Sequence, residues 1–349
     1  SHKRIPIQLP RPLDWEAAQQ IALDIGDPNT LSNGGPVLSA LERELAVFLD
    51  VSPDKLVVFS SATSAIAAAL HSFGPEKKIV LPDFSFIATL RAAQAYPKND
   101  YVFADVEDST WTISPSGSTS DEETYLPVAP FGADPVELLR NFKGKDTVID
   151  AAASLGTQPN CSHLELNHVM CFSLHATKVM GAGEGGFAVF GSESLAARAR
   201  DWANFGRGGD LIRLGGSNAK MSEVQASFCL SRLRSWGEEK TRWLRSQDFA
   251  RKISVTHNLT LSPTGLDKVH PYWVVDFGDS ELASRVQQVF SGKSIETRQW
   301  WPTSLSEAAG GSPFVNSRRK RAETLGLPMF QDMTEQDFSR IDEALGMAL

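Results

Sequence analysis

The chain has 349 residues, 42% of them hydrophobic, which is enough for a large core and for two or three domain-sized units, or for one large α/β unit with a smaller partner. Its 34 Lys and Arg stand against 42 Asp and Glu, a net charge of −8, and this argues against nucleic acid or an anionic membrane as main partner, since both need a basic surface. Three cysteines at irregular spacing (Cys161, Cys171, Cys229), with no CxxC, argue against a disulfide framework or a bound metal and fit a reducing cytoplasm.

The opening SHKRIPIQLP has no apolar leader stretch, its Ser-His reads as a tag remnant, and no apolar run approaches the ~20 residues of a membrane helix, so no targeting or spanning segment is expected. VVFS (57–60) is predicted as a strand, followed by a helix over SATSAIAAALHSF. IVLP (79–82) is a strand and IATLRAAQAY a helix. YVFADV (101–106) and YLPVAPF (125–131) are strands, with a polar loop, SPSGSTSDEET (114–124), between them. DPVELLRNF starts a helix with Asp134 as cap and Pro135 at the first helical position. TVID (147–150), HVMCFSLH (168–175) and FAVF (187–190) are further strands. Strands separated by helices predict an α/β fold with a mostly parallel sheet buried on both faces.

After about residue 220 the pattern changes. SEVQASFCLSRLRSWGEEKTRWLRSQDFARKI reads as one long helix opened by Ser222. YWVVDF (272–277) is a strand, SELASRVQQVF a helix, IETRQW a strand candidate, and TEQDFSRIDEALGMAL a closing helix capped by Thr334. The expected organisation is an N-terminal arm (1–12), a large three-layer domain (13–238) and a smaller α+β domain (239–349), joined by the long helix.

The segment FSLHATKVMGAGEGGFAVF (172–190) carries the chemistry. Gly181, Gly183 and Gly186 match the dinucleotide fingerprint G-x-G-x-x-G, but that fingerprint must open a helix, and here it runs into a strand. A hairpin or tight strand connection is the better reading. Lys178 sits just past a strand end, where ligands meet open α/β sheets. A partly desolvated lysine has a lowered pKa and a free amine for Schiff-base chemistry; the ordinary alternative is an exposed loop lysine. A pyridoxal phosphate site needs three more things. Asp150, ending TVID, offers a carboxylate for the pyridine nitrogen, against the alternative of a turn or cap aspartate. FSSATSAIAAAL offers helix N-terminal amides for the phosphate, with hydroxyls at Ser60, Ser61, Thr63 and Ser64. PDFSF offers Phe86 as a flat partner for the ring, against the alternative of a core aromatic.

The same segment resembles the lysine segment of the DegT/DnrJ/EryC1/StrS family of sugar aminotransferases. LSNGGPVLSALERELAVFLDV, VVFSSATSAIAAAL, LPDFSFIATLRAA, VIDAAASLG, NFGRGG, GSNAKMSEVQASF and LPMFQDMTEQDFSRIDEAL resemble its other segments, in the same order. The resemblance implies the aspartate-aminotransferase-like fold (fold type I), pyridoxal 5'-phosphate as cofactor and a homodimer with a shared active site. Lys178 is implied to form the internal aldimine and then shuttle a proton, and Asp150 to pair with the ring nitrogen. Phe86 is implied to stack on the ring, and Ala62, Thr63 and Ser173 to hold the phosphate. Asn218 is implied to reach the phosphate from the neighbouring subunit. The implied reaction moves an amino group from glutamate to a nucleotide-linked ketosugar (a dTDP-, UDP- or GDP-linked 3- or 4-keto-deoxysugar); cyclitol aminotransferases and non-catalytic regulatory members are the alternatives. The dehydratases of this fold replace the lysine with histidine, so Lys178 speaks against them.

Two departures stand out. After the aspartate the family reads D-A-A-H or D-A-A-Q; here Ala153 and Ser154 follow, so either Ser154 or water substitutes, or the site is tuned differently. The late segment RQWWPTSLSEAAGG has no histidine after Pro302, in a region that contacts the sugar in the family. Arg207, Lys220 and Arg213 are candidates for a substrate diphosphate, against the alternative of surface charge. His175, beside the lysine segment, reads equally as a packed histidine.

Overall fold

The structure is a computed structural model describing residues 3–95, 100–115, 122–209 and 215–349, together with the backbone of residues 211–212. Two helices, α1 (Trp15–Ile25) and α2 (Pro36–Phe48), precede strand β1 (Leu56–Phe59). Alternating elements follow: α3 (Ala62–Ser72), β2 (Lys78–Pro82), α4 (Ile87–Gln94), β3 (Tyr101–Ala104), β4 (Glu123–Tyr125), α5 (Pro135–Leu139), β5 (Thr147–Asp150), β6 (His168–Ser173), β7 (Gly186–Phe190) and α6 (Glu193–Ala203).

The seven strands form one sheet in the order β1-β7-β6-β5-β4-β2-β3. Strand β7 is antiparallel to both neighbours and every other pair is parallel. Strands β5, β6 and β7 are buried along their whole length, because helices cover both faces of the sheet. Alternate side chains therefore enter different cores. Met170 and Phe172 face a core built with α1 and α2, whereas Val169 and Cys171 face one built with α3, α4 and α6.

A short hairpin, β8 (Arg207–Gly208) and β9 (Leu211–Ile212), leads to α7 (Glu223–Arg234) and α8 (Trp236–Thr256). The rest comprises β10 (Thr260–Leu261), β11 (Trp273–Asp276), α9 (Ser280–Gly292), α10 (Leu305–Ala308), α11 (Val315–Glu323), β12 (Thr324–Leu327) and α12 (Glu335–Ala348). Strands β10, β11 and β12 make a separate antiparallel sheet over a core of its own, which includes Trp273, Phe290, Leu325 and Ile341. Ile5 belongs to that core too, tied by backbone bonds to Ser294 and Glu296. Helix α8 spans both regions: Trp236 and Trp243 pack in the α1–α2 core, Ala250 and Ile253 in the small-sheet core.

Four expectations need correction. The long helix after Ser222 is two helices that meet at Ser235, whose hydroxyl donates to Arg232 O at 3.0 Å and takes a carbonyl at the end of α7. The strand expected over 125–131 ends at Tyr125. Pro127 and Pro130 have no N–H for a ladder, Val128 keeps only an isolated bridge to Asp150, and Phe131 turns the chain at φ 54°. Strand β3 ends at Ala104 rather than 106, because Asp105 leaves the ladder to accept N–H groups from α11. IETRQW makes isolated bridges at Ile295 and Arg298 and no strand. Of the polar loop 114–124, residues 116–121 lie outside the described residues, as does Arg213. Among the described residues no helix is long and apolar enough to cross a membrane, and Cys161, Cys171 and Cys229 are buried and unbonded to one another.

Candidate active site

A cavity of about 420 Å³ opens beyond the C-terminal ends of β1, β5 and β6, and Lys178, Asp150, Ala62, Thr63, Phe86 and Ser173 all line it. Strand order explains the convergence, since β5 and β6 are adjacent and parallel, with Asp150 paired to Cys171, two residues before Ser173.

At one end lies the start of α3. Ser61 caps the helix by accepting the N–H of Ser64 at 3.1 Å, and the amides of Ala62 and Thr63 precede the first intrahelical bond. A Cβ on Gly186 would stand 2.3 Å from Ala62 N, so only glycine at the start of β7 keeps this amide end open. Ser173 lines the cavity beside it and accepts the His175 N–H at 3.1 Å.

Deeper in lies Asp150, which is buried. Thr89 Oγ1 donates to its Oδ2 at 2.8 Å, and the Ala152 N–H to its Oδ1 at 3.1 Å; Ser85 shares a 2.7 Å bond with Thr89. Burial pushes the Asp150 carboxyl up, while these donors and the charge of Lys178 pull it down. A buried carboxylate held only by neutral donors is matched to a cationic ring nitrogen.

Lys178 occupies a tight turn after β6. Its N–H bonds His175 O at 2.8 Å, its carbonyl accepts Gly181 N–H at 2.9 Å, and a Cβ on Gly181 would strike His175 O at 2.4 Å. The glycines of this segment thus close the turn that presents the amine. Lys178 Nζ donates to Tyr272 Oη at 2.6 Å. Phe86, the residue before α4, is 54% exposed and offers an open ring face to the cavity. His175 shares a 2.9 Å bond with Thr177 Oγ1, and its other ring nitrogen lies 3.8 Å from Glu184.

The opposite wall comes from Tyr272 and Phe131, which sequence reasoning missed, and from Arg298, Trp300 and Trp301, whose segment the resemblance placed near the sugar without naming them as site residues. Trp301 stacks on Phe131 with centroids 5.1 Å apart and an interplanar angle of 14°. Tyr272 meets Trp300 edge-on at 5.3 Å. The Arg298 guanidinium lies 5.0 Å from the Trp300 ring and has no carboxylate partner among the described residues. Trp300 rests directly on β12, where a Cβ on Gly326 would fall 2.2 Å from its Nε1. Adjacent tryptophans in a polar stretch, RQWWP, were the signal; nothing local ties them to Lys178.

Three candidates lie apart from this cavity in their own chain. Asn218 is exposed, bridged to Asn204 through the backbone. Arg207 is exposed on β8. Lys220 donates to Asn204 Oδ1 at 3.0 Å and lies 4.5 Å over Phe205; burial lowers its pKa. Ser154 does not take the place of the family's polar residue, because its hydroxyl is committed to Ala133 O at 2.7 Å and the methyl groups of Ala152 and Ala153 line the cavity instead.

The donor set fits pyridoxal phosphate: open amides at a helix start, a buried carboxylate awaiting a cation, a positioned lysine and an exposed aromatic face. Known proteins agree with this pattern. The chain is 24% identical over 341 residues to a dTDP-4-amino-4,6-dideoxy-D-glucose transaminase of Escherichia coli, covering 90% of this chain and 91% of that enzyme. It is 29% identical over 214 residues to the Shigella dysenteriae enzyme of the same name, where the match covers 58% of this chain and only 57% of the relative. The fold superposes on the aminotransferase TlmJ from Streptoalloteichus hindustanus with a TM-score of 0.82 at 21% identity, covering 99% of this chain and 98% of that one. The profile of the DegT/DnrJ/EryC1/StrS aminotransferase family matches residues 14–346, and the chain belongs to that family.

Proposed function

We propose that this protein is a pyridoxal-phosphate-dependent aminotransferase that moves an amino group from an amino acid, glutamate, to a nucleotide-linked ketosugar. The observation that carries the reading is the presence of a positioned lysine amine and a buried, cation-seeking carboxylate in one cavity, beside an open helix N-terminus. The names of the relatives support the substrate class.

The cofactor, when bound, supplies an electron sink for the carbon that carries the amine. The remaining work belongs to the chain. The Ala62 and Thr63 amides and Ser173 hold the phosphate. Asp150 keeps the ring nitrogen protonated, and a cation there relieves the desolvation of its carboxylate. Lys178 Nζ is the nucleophile that retains the cofactor and the base that moves the proton at the reacting carbon. Tyr272 Oη accepts from that amine and orients it. Phe86 would cover one face of the ring, and the Phe131–Trp301 stack would exclude water from the substrate side.

We place the cofactor residues and Phe131 in a unit spanning 13–238, with the arm 1–12 supplying Gln8 and the unit 239–349 supplying Tyr272, Arg298, Trp300 and Trp301. We further propose a homodimer in which Asn218 of each copy reaches the phosphate in the other, with Arg207 and Lys220 beside it. Exposed Phe205 and Val224, at 55% and 58%, support a covered surface there. The unpaired cysteines fit the cytoplasm.

The test is the visible spectrum with pyridoxal phosphate, before and after glutamate, for wild type and Lys178→Ala. A lysine-bound band that glutamate abolishes in wild type, and that is missing from the variant, is expected. Wild type that binds no cofactor, or binds it without responding to any amino donor, overturns the reading.

A further inference from the structure

The segment after β2 reads Asp83-Phe84-Ser85-Phe86, and each of its residues reaches a different part of the site. Phe86 lines the cavity, and Ser85 bonds Thr89, which holds Asp150. Phe84 packs against Trp301, with centroids 4.9 Å apart at 64°. Asp83 does something the reaction does not require. It is 0% exposed, and among the described residues no basic side chain pairs with it. Its Oδ1 accepts the Ser306 N–H at 2.8 Å, its Oδ2 accepts the Phe314 N–H at 2.9 Å, and its backbone carbonyl accepts Leu305 N–H at 2.9 Å.

A second carboxylate repeats the pattern one strand away. Helix α11 has Phe314 at its cap position, which no side chain there can serve. Asp105, at the end of β3, supplies the cap from across the chain: it accepts the N–H of Asn316 at 2.9 Å and of Ser317 at 3.0 Å. A buried carboxylate is expensive to desolvate, and an apolar side chain would fill the same space. The gain lies in direction, since charge-assisted bonds to backbone N–H groups are short and hold a segment in one register. Only Pro302 and Thr303 separate Trp301 from Ser304, where the stapled segment begins.

We propose that Asp83 is a positioning residue for the substrate wall: it holds segment 304–314 to the large sheet and so sets Trp300 and Trp301 opposite Lys178. The wall takes the acceptor's ring, a statement that rests on the aminotransferase reading. Asp105 fixes α11 and is the neighbouring control.

The experiment uses the full chain. In the cofactor-free protein, Asp83→Asn is expected to speed hydrogen exchange at the Ser306 and Phe314 amides by about ten- to hundredfold, and to raise exchange in the peptide covering 298–303, with Asn316 and Ser317 unchanged. Asp105→Asn is expected to do the reverse. In the loaded enzyme, the glutamate half-reaction is expected to stay within about twofold, while KM for the keto acceptor rises about tenfold. Unchanged exchange over 298–303, or an unchanged acceptor KM, overturns the proposal. So does an equal loss of both half-reactions, which marks a plain fold staple. If Asp83→Asn does not fold, Phe84→Leu keeps the carboxylate, removes the ring contact with Trp301 and must give the same acceptor-only defect. A wild type that does not transaminate sinks the functional reading and leaves the exchange result to decide this one.

Discussion

The two sides of the cavity are built differently. The cofactor side is made of strand ends and helix starts around a single mostly parallel sheet, and each residue lies within a few positions of a regular element: Asp150 on β5, Ser173 on β6, Ala62 and Thr63 on α3. The substrate side is made of Tyr272, Arg298, Trp300 and Trp301, held by packing on Phe131 and Phe84, by Gly326 and by the Asp83 staple. One side is positioned by backbone hydrogen bonding that any α/β sheet supplies, the other by contacts between residues up to 231 positions apart. Chemistry common to a family can rest on the first kind of support, while specificity can vary on the second without disturbing the sheet.

Three substitutions sharpen or break that contrast. On the cofactor side, Asp150→Asn is expected to cut turnover about hundredfold or more, because in the role proposed for it the ring nitrogen would lose its charged partner. Stability should move the other way. The folded carboxyl is raised, so its contribution to stability is full below the ordinary carboxylate range and is lost as pH rises through the folded value. In the cofactor-free protein the difference in melting temperature between variant and wild type should therefore shift in the variant's favour as pH rises from the ordinary carboxylate range. A difference that does not change with pH contradicts the assignment.

On the substrate side, His270 is buried and neutral. It shares a 3.0 Å bond with Gly265 O, and its other nitrogen accepts the Tyr272 N–H at 3.4 Å. Burial pushes its pKa down to about 4. A depressed histidine is the reverse case: the unfolded chain binds the proton first, so stability is lost as pH falls from the ordinary value through about 4. The loss amounts to about 3 kcal/mol, to be read from urea unfolding at pH 7.5 and 4.5. His270→Asn should flatten that slope; an unchanged slope places the titration elsewhere. The smallest effect is expected at Gly326→Ala, whose methyl group displaces Trp300. It should cost about 1–3 kcal/mol of stability and weaken acceptor binding, while the glutamate half-reaction continues. Equal damage to both half-reactions would show that the two sides are not separable.

Much of the cofactor side was legible because its signals are local. A strand ending in Asp150, a small-residue helix start at Ala62 and glycines after Lys178 each express a backbone requirement within about ten residues. Gly181 and Gly186 are present because a Cβ would strike His175 O and Ala62 N. Where local reading failed, a long-range partner or a missing donor was responsible. Strand β3 stops early for the sake of α11, the strand expected over 125–131 is broken by two prolines, and Ser154 turns to Ala133 instead of the cavity. Thr89 looked like an ordinary helix residue until Asp150 stood 2.8 Å from its hydroxyl.

By itself the sequence determined the alternation of strands and helices, the buried sheet and the placing of lysine and aspartate at strand ends. These follow from periodicity and backbone sterics, which act over short spans. Only the tertiary structure decided which aromatic residues face Lys178, that Arg298 rather than Arg207 or Lys220 enters the cavity of its own chain, and that Asp83 bonds the segment after Trp301 while Asp105 caps α11. Those outcomes depend on which distant segments pack together, and side-chain packing and buried polar pairing leave no periodic trace along the chain.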